Sequence, residues 1–204
     1  MALDNGWQPL IVGLGGSGRA GSSSENALRL SLAAAAECGA ITQLFAGADL
    51  MVPLYDPSVG ARSDGAVRLI EALRRADGVL LASPGYHGSM SGLIKNLLDY
   101  IEDLRDDSRP YLDGRAVGCI VCAHGWQATG TTLTALRSVV HALRAWPTPV
   151  GVAINSAQNV FDQQGLCSST SVDTQLRLVA RQVVDFARMR RALDAVHLSP
   201  ARAG

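Results

Sequence analysis

Pro9-Leu-Ile-Val-Gly-Leu-Gly-Gly-Ser-Gly-Arg-Ala-Gly-Ser-Ser-Ser24 is the stretch on which the fold turns. The run Pro9 to Leu14 has the length and apolar character of a buried strand, and the Gly/Ser segment after it cannot continue one. A helix-like stretch follows from about Ser24 to Glu37. Strand, glycine-rich loop and helix in that order form the opening of a βα unit.

The same grammar repeats outward from there. Ile41 to Phe45 reads as a second strand, Gly60 to Ala76 as an Arg/Leu-patterned helix, and Gly78 to Ala82 as a third strand that is apolar throughout. A helix at about Ser91 to Leu104, a strand at Ala116 to Cys122, a helix at Thr131 to Trp146, a strand at Val150 to Ile154 and a helix from about Val172 to Arg190 complete the series. Continuously apolar strands belong to parallel sheets covered on both faces. The expectation is a three-layer α/β fold, a five-stranded parallel sheet in the flavodoxin-like order 2-1-3-4-5 with helices on both faces. Residues 1–192 read as one domain, and the small, Pro-containing stretch 193–204 reads as a flexible C-terminal tail.

Composition narrows the function classes. The chain has 204 residues, 48% hydrophobic and 18% charged, which suits one packed α/β domain. Eighteen basic residues balance eighteen acidic ones, so no net field attracts nucleic acid or an anionic membrane, and small molecules are the expected partners. Neither a signal segment nor an apolar run of membrane-spanning length appears, so the expected location is cytoplasmic. Cys38, Cys119, Cys122 and Cys167 read as free thiols. Cys119 and Cys122 make a C-x-x-C, but within the strand-like AVGCIVCA they face opposite sides, and no second ligand pair of the zinc-site type accompanies them. No metal site is read.

In an open α/β sheet, ligands bind beyond the carboxyl ends of the strands, where strand order reverses. The first loop offers converging backbone N–H groups with Ser17, Arg19, Ser22, Ser23 and Ser24 as further donors, which is the chemistry of an anion site. Gly13, Gly15 and Gly18 also satisfy G-x-G-x-x-G, but no acidic residue closes the second strand, and the loop stays polar to Ser24. A P-loop is excluded because no lysine occurs here. A loop that merely turns remains the alternative.

The third loop, Ser83-Pro-Gly-Tyr-His-Gly-Ser-Met-Ser-Gly92, follows a buried strand and precedes a helix with a cap near Ser91. Gly85 and Gly88 would let main chain lie close to a flat ligand. Ser83 to Tyr100, SPGYHGSMSGLIKNLLDY, resembles the P-x-Y-x-G-S-x-x-G-x-L-K-N-x-L-D-x signature of the NADPH-dependent FMN reductase family. Gly16-Ser17-Gly18-Arg19 with Ser22 to Ser24 resembles that family's G-S-x-R-x-x-S phosphate loop, and Phe161-Asp-Gln-Gln-Gly165 is similar, less sharply, to its F-D-x-x-G. The resemblance covers about Leu10 to Met189. Ile94 departs from the usual leucine, and Ala123-His-Gly-Trp126 stands in place of a glycine pair.

The resemblance implies that Ser17, Arg19, Ser22, Ser23 and Ser24 hold the phosphate of FMN, and that Pro84, Gly85, Tyr86, His87 and Gly88 line its ring. His124, Gly125 and Trp126 fall where that family meets the ring edge. Hydride from NADPH or NADH then needs no catalytic side chain, because the cofactors react by stacking. His87 and His124 read either as solvated or as flavin-edge groups, and Trp126 as a lid or as packing. The implied activity is NAD(P)H-dependent FMN reduction, with a flavin-dependent monooxygenase as a possible consumer, by a homodimer or homotetramer. The alternatives are a reductase of quinones, azo dyes or metal oxyanions that keeps FMN bound, a flavodoxin-type electron carrier, whose usual acidity this neutral chain lacks, and a binding module that has lost flavin. A Ser-His-Asp hydrolase would need a G-x-S-x-G that is absent.

Overall fold

The computed structural model describes residues 6–198. Its elements are β1 (Leu10–Gly15), α1 (Ser23–Glu37), β2 (Ile41–Phe45), α2 (Asp64–Arg75), β3 (Gly78–Tyr86), β4 (Ser89–Met90), α3 (Gly92–Asp99), β5 (Ala116–Ala123), α4 (Trp126–Ala142), β6 (Trp146–Pro147), β7 (Val152–Asn155) and α5 (Thr170–Leu198). The sheet runs β2-β1-β3-β5-β6, with β7 also parallel on β5 and β4 antiparallel on β3. With β6 and β7 taken as two pieces of one strand, this is the expected flavodoxin-like order.

Alternation along the strands builds two cores. Val12, Leu14, Val79, Leu81, Val117, Cys119 and Val121 join Leu69 and Leu73 of α2, Ile94 and Leu97 of α3, and Leu136 and Val140 of α4. Ile11, Leu80, Ala82, Ile120 and Cys122 join Leu28 and Leu32 of α1 and Leu176, Val179 and Val183 of α5. Cys119 and Cys122 therefore occupy opposite faces, as their spacing in a strand requires. Both thiols are free, and burial pushes each up to about 12.

Several boundaries differ from the sequence reading, each for a local reason. The helix expected from Gly60 begins at Asp64, where Ser63 Oγ accepts from Ala66 N. The preceding residues are held as a loop by Arg62, which pairs bidentately with Asp103 at 2.7 and 2.8 Å and lies over the rings of Tyr55 and Tyr100. The helix expected over Ser91 to Leu104 tightens to a 3-10 turn from Tyr100. The helix placed at Thr131 to Trp146 starts five residues earlier, at Trp126, and Arg144, at φ +62°, turns the chain out of it. The added first turn, Trp126 to Gly130, contains Thr129, whose hydroxyl donates to Trp126 O at 2.7 Å. Pro147 and Pro149 lack N–H groups, and the last strand divides around them. The final helix continues beyond Arg190 to Leu198, through the first residues of the stretch read as a tail; residues 199–204 lie outside the described residues.

At the amino end of the sheet Arg115, 1% exposed, donates to the carbonyls of Arg74, Ala76, Tyr111 and Asp113. Burial, with Arg109 beside it, pulls its guanidinium below the usual arginine range, to about 10.

Candidate functional site

At the carboxyl ends of β1, β3 and β5 three loops lie side by side. Gly16 N donates to Ala82 O at 3.2 Å, so the first loop leaves β1 in contact with β3, and Pro84 pairs with Cys122 in register, so β3 carries the third loop beside the fourth. Order reverses between β1 and β3, which makes this the switch point.

The first loop is bent at two glycines with left-handed backbone, Gly16 (φ +105°) and Gly21 (φ +67°). Ser17 Oγ accepts from Arg19 N at 3.2 Å, and the Arg19 side chain is exposed. Ser22 is the N-cap of α1 and accepts from Glu25 N, while its Oγ also lies 3.4 Å from that of Ser24. Ser22 and Ser24 are buried, Ser17 and Ser23 half-buried. The N–H groups of Ser23 and Ser24, in the first turn of α1, have no intrahelical partner. Together with the hydroxyls of Ser17 and Ser23 and the Arg19 guanidinium they form a donor set suited to one phosphate. A Cβ on Gly18 would lie 3.8 Å from Leu93 Cδ1 and 3.9 Å from Met51 Sδ, so α3 and the segment after β2 flank the loop.

The third loop is a hairpin that sequence reading missed. β3 extends past Ala82 to Tyr86 and returns through β4, with Gly85 opposite Met90 and Tyr86 opposite Ser89. His87 (φ +52°) and Gly88 (φ +84°) make the two-residue turn, a geometry that glycine or asparagine adopts easily. Ser83 Oγ accepts from Ser91 N and donates to Pro84 O, tying the hairpin base to the start of α3. Within the protein itself the two glycines meet different demands. A Cβ on Gly85 would meet Thr132 Oγ1 at 2.7 Å and Ala123 Cβ at 2.8 Å, so its smoothness serves packing against α4 and β5. A Cβ on Gly88 would have nothing nearer than Thr131 Oγ1 at 3.9 Å, and its backbone lies at a positive φ that favours glycine. Pro84 is buried, whereas Tyr86, His87 and Gly88 are exposed.

In the fourth loop His124 is exposed and Gly125, at φ +107°, turns the chain into α4. Gly125 N donates to Asn155 Oδ1 at 3.0 Å, and the same oxygen accepts from Ala157 N. Asn155 thus fixes this loop from the end of β7, a role whose only sequence signal is an Asn closing a strand. Trp126 is 59% exposed and Tyr86 54%. Phe161 to Gly165 instead packs over the start of α1: a Cβ on Gly165 would meet Asn26 Oδ1 at 3.0 Å, and Asp162 Oδ1 accepts from Gln164 N and Leu166 N.

A donor loop for one phosphate beside an exposed, aromatic-flanked hairpin fits FMN in kind, a monophosphate joined to a flat ring. Comparisons with known proteins agree. The family model for NADPH-dependent FMN reductase matches residues 9–159. An NAD(P)H-dependent FMN reductase of Pseudomonas aeruginosa is 32% identical over 159 residues, 76% of this chain and 82% of its own. An FMN-dependent NADPH-azoreductase of Staphylococcus aureus is 28% identical over 132 residues, 64% of this chain and 66% of its own. Among solved structures, an apo NADH:FMN oxidoreductase aligns with a TM-score of 0.68 at 20% identity, over 89% of this chain and 90% of that one. A flavoenzyme NAD(P)H:(acceptor) oxidoreductase from Paracoccus denitrificans aligns at 0.67 and 19%, over 90% and 99%, and both alignments bear on the fold. With its sheet order, its donor loop and a model match over most of its length, the chain belongs to the NADPH-dependent FMN reductase family.

Proposed function

We propose that this chain binds FMN across the first and third loops and reduces it, or an acceptor through it, with hydride from NADPH or NADH. The observation that carries this is the juxtaposition, across the β1–β3 pair, of the Gly16 to Ser24 donor loop with the hairpin Pro84 to Gly88, whose tip Tyr86 to Gly88 is exposed. Bound flavin supplies a two-electron hydride acceptor; the chain supplies binding and orientation.

In this reading Ser17, Ser23 and Arg19 donate to the phosphate, and Ser22 and Ser24 shape the helix start that receives it. Gly85, through its fit against Ala123 and Thr132, holds the hairpin on α4 while the turn His87-Gly88 faces the ring. Tyr86, His124 and Trp126 rim the face left for the nicotinamide. No described side chain is asked to move a proton.

Exposed Trp126 and Tyr86 favour, as a second reading, an enzyme that retains FMN and passes electrons to planar aromatic acceptors such as quinones or azo dyes. Release of reduced FMN to a flavin-dependent monooxygenase is the alternative fate. Among the described residues no helix is long and apolar enough to cross a membrane, and the four free thiols accord with the proposed cytoplasmic location. A homodimer or homotetramer is proposed as well. The apolar residues Ile94, Leu97, Leu98 and Ile101 are buried in the chain's own core and so offer no subunit face. Trp146, Phe186 and Met189, lining an edge groove of about 440 Å³, are the better supported face.

The test is anaerobic NAD(P)H oxidation by the purified protein with free FMN and with quinones, beside FMN and riboflavin titrations. Turnover with at least tenfold preference for binding FMN is the expected result, since one charge-assisted hydrogen bond contributes about 1.5–3 kcal/mol. Equal affinity for the two flavins, or no oxidation with any acceptor, would overturn it.

A further inference from the structure

We propose that Glu25 is a positioning residue that orders the phosphate loop before any ligand arrives, an inference resting on the FMN reading above. Its side chain is only 6% exposed, at the third position of α1 and directly beneath the loop. Four contacts converge on it. Oε2 accepts from Gly21 N at 3.2 Å, and Glu25 N donates to Ser22 Oγ at 3.3 Å. Oε1 accepts from both Nε and Nη2 of Arg29, at 2.9 and 2.7 Å. On the other side, Gly16 lies so close that a Cβ there would sit 3.2 Å from Glu25 Cβ.

Gly16 and Gly21 are the two left-handed positions that bend the loop, and each is glycine, the residue with most freedom in the unfolded chain. Left alone, a segment hinged at both ends would sample many shapes and lose binding energy in being ordered. Glu25 bonds one hinge, Gly21, and leaves little room for a side chain at the other, Gly16. The charge is otherwise adverse, because a nearly buried carboxylate carries a desolvation cost and lies near the proposed phosphate. Arg29 takes one oxygen with two donors and leaves the other for Gly21, and the start of α1 favours an acidic residue. The pair thus holds the loop with little net charge facing an anion.

The effect belongs to loop order, so it is readable without a loaded enzyme. Arg19 is an exposed trypsin target within the loop, and cleavage after it reports how often the loop opens. Glu25→Ala should speed cleavage after Arg19 in the apoprotein and weaken FMN about tenfold, with riboflavin affinity unchanged. Glu25→Gln keeps an acceptor for Gly21 N and should restore both readouts to near the parent values. Glu25→Asp keeps the charge but withdraws the carboxylate by one methylene, and should behave like Glu25→Ala; it also carries the test should Glu25→Ala fold poorly. Unchanged cleavage in both Glu25→Ala and Glu25→Asp, or tighter FMN binding in Glu25→Ala, overturns the proposal. If the parent protein itself does not prefer FMN to riboflavin, the FMN reading fails, while the proteolysis arm still decides whether Glu25 orders the loop.

Discussion

Replacing Gly88 separates two reasons for a glycine at the tip of the third loop. Its φ of +84° lies where L side chains are strained, while its surroundings are open, with Thr131 Oγ1 at 3.9 Å from a built Cβ. Left-handed backbone costs an L residue about 1–2 kcal/mol, more for a β-branched one, and asparagine bears it best. The hairpin is held by the two β3–β4 pairs, by Ser83 at its base and by Thr132 Oγ1 donating to Ser89 O at 3.4 Å. A strained turn would therefore open this hairpin. At roughly 2–4 °C per kcal/mol for a chain of this size, Gly88→Ala should lower the apoprotein melting temperature by about 2–8 °C. Gly88→Val should lower it further, and Gly88→Asn should leave it near the parent value. FMN affinity, read by flavin fluorescence quenching, should fall in the same order. If Gly88→Asn abolished FMN binding while all three variants melted with the parent, glycine would be there for ring contact, and the turn argument would be refuted.

Arg19→Ala should shrink the FMN-over-riboflavin preference about tenfold, and because the side chain is exposed the melting temperature should not move; an unchanged preference would remove Arg19 from the phosphate site. Trp126→Ala should raise KM for aromatic acceptors several-fold and leave ferricyanide reduction and stability unaltered, whereas equal KM values for all acceptors would make Trp126 mere surface. Cys119 and Cys122 are raised from 9.0 to about 12 by burial, so the neutral thiols stabilise the fold fully below about pH 9 and progressively less as pH rises toward 12. Cys119→Ala should flatten the alkaline decline in urea midpoint, and an unaltered slope would contradict the assignment.

The architecture was legible because it rests on strand-length apolar runs with loops between them, and β2 was read to the residue. What escaped is decided by contacts between distant segments. β4 is two residues long and exists only because β3 continues past Ala82 to pair with it, and nothing in Ser89-Met90 announces a strand. Likewise, α4 begins five residues before Thr131, directly after Gly125, which is held from the distant end of β7 by Asn155. At the site, the donor loop and the glycine-bearing third loop were visible as composition, the latter's hairpin pairing excepted. Glu25 and Asn155 were not, since an acidic residue in a helix and an Asn after a strand become meaningful only when Gly21 and Gly125 are brought to them.

The buried guanidinium of Arg115 gives the molecule a polarity of tolerance. Its charge is balanced by four main-chain carbonyls, two of them the outgoing carbonyls of Arg74 and Ala76 at the end of α2. Main-chain partners survive side-chain replacements around them, so drift in the neighbouring residues leaves this clasp intact, whereas loss of Arg115 itself would remove a donor from all four carbonyls together and leave Ala76 O to Arg109. The opposite edge of the sheet is built from glycine bends and short side-chain ties, each of which can be altered one at a time. Diversification of acceptor preference can therefore proceed at one edge of the sheet while the other keeps the strands in register.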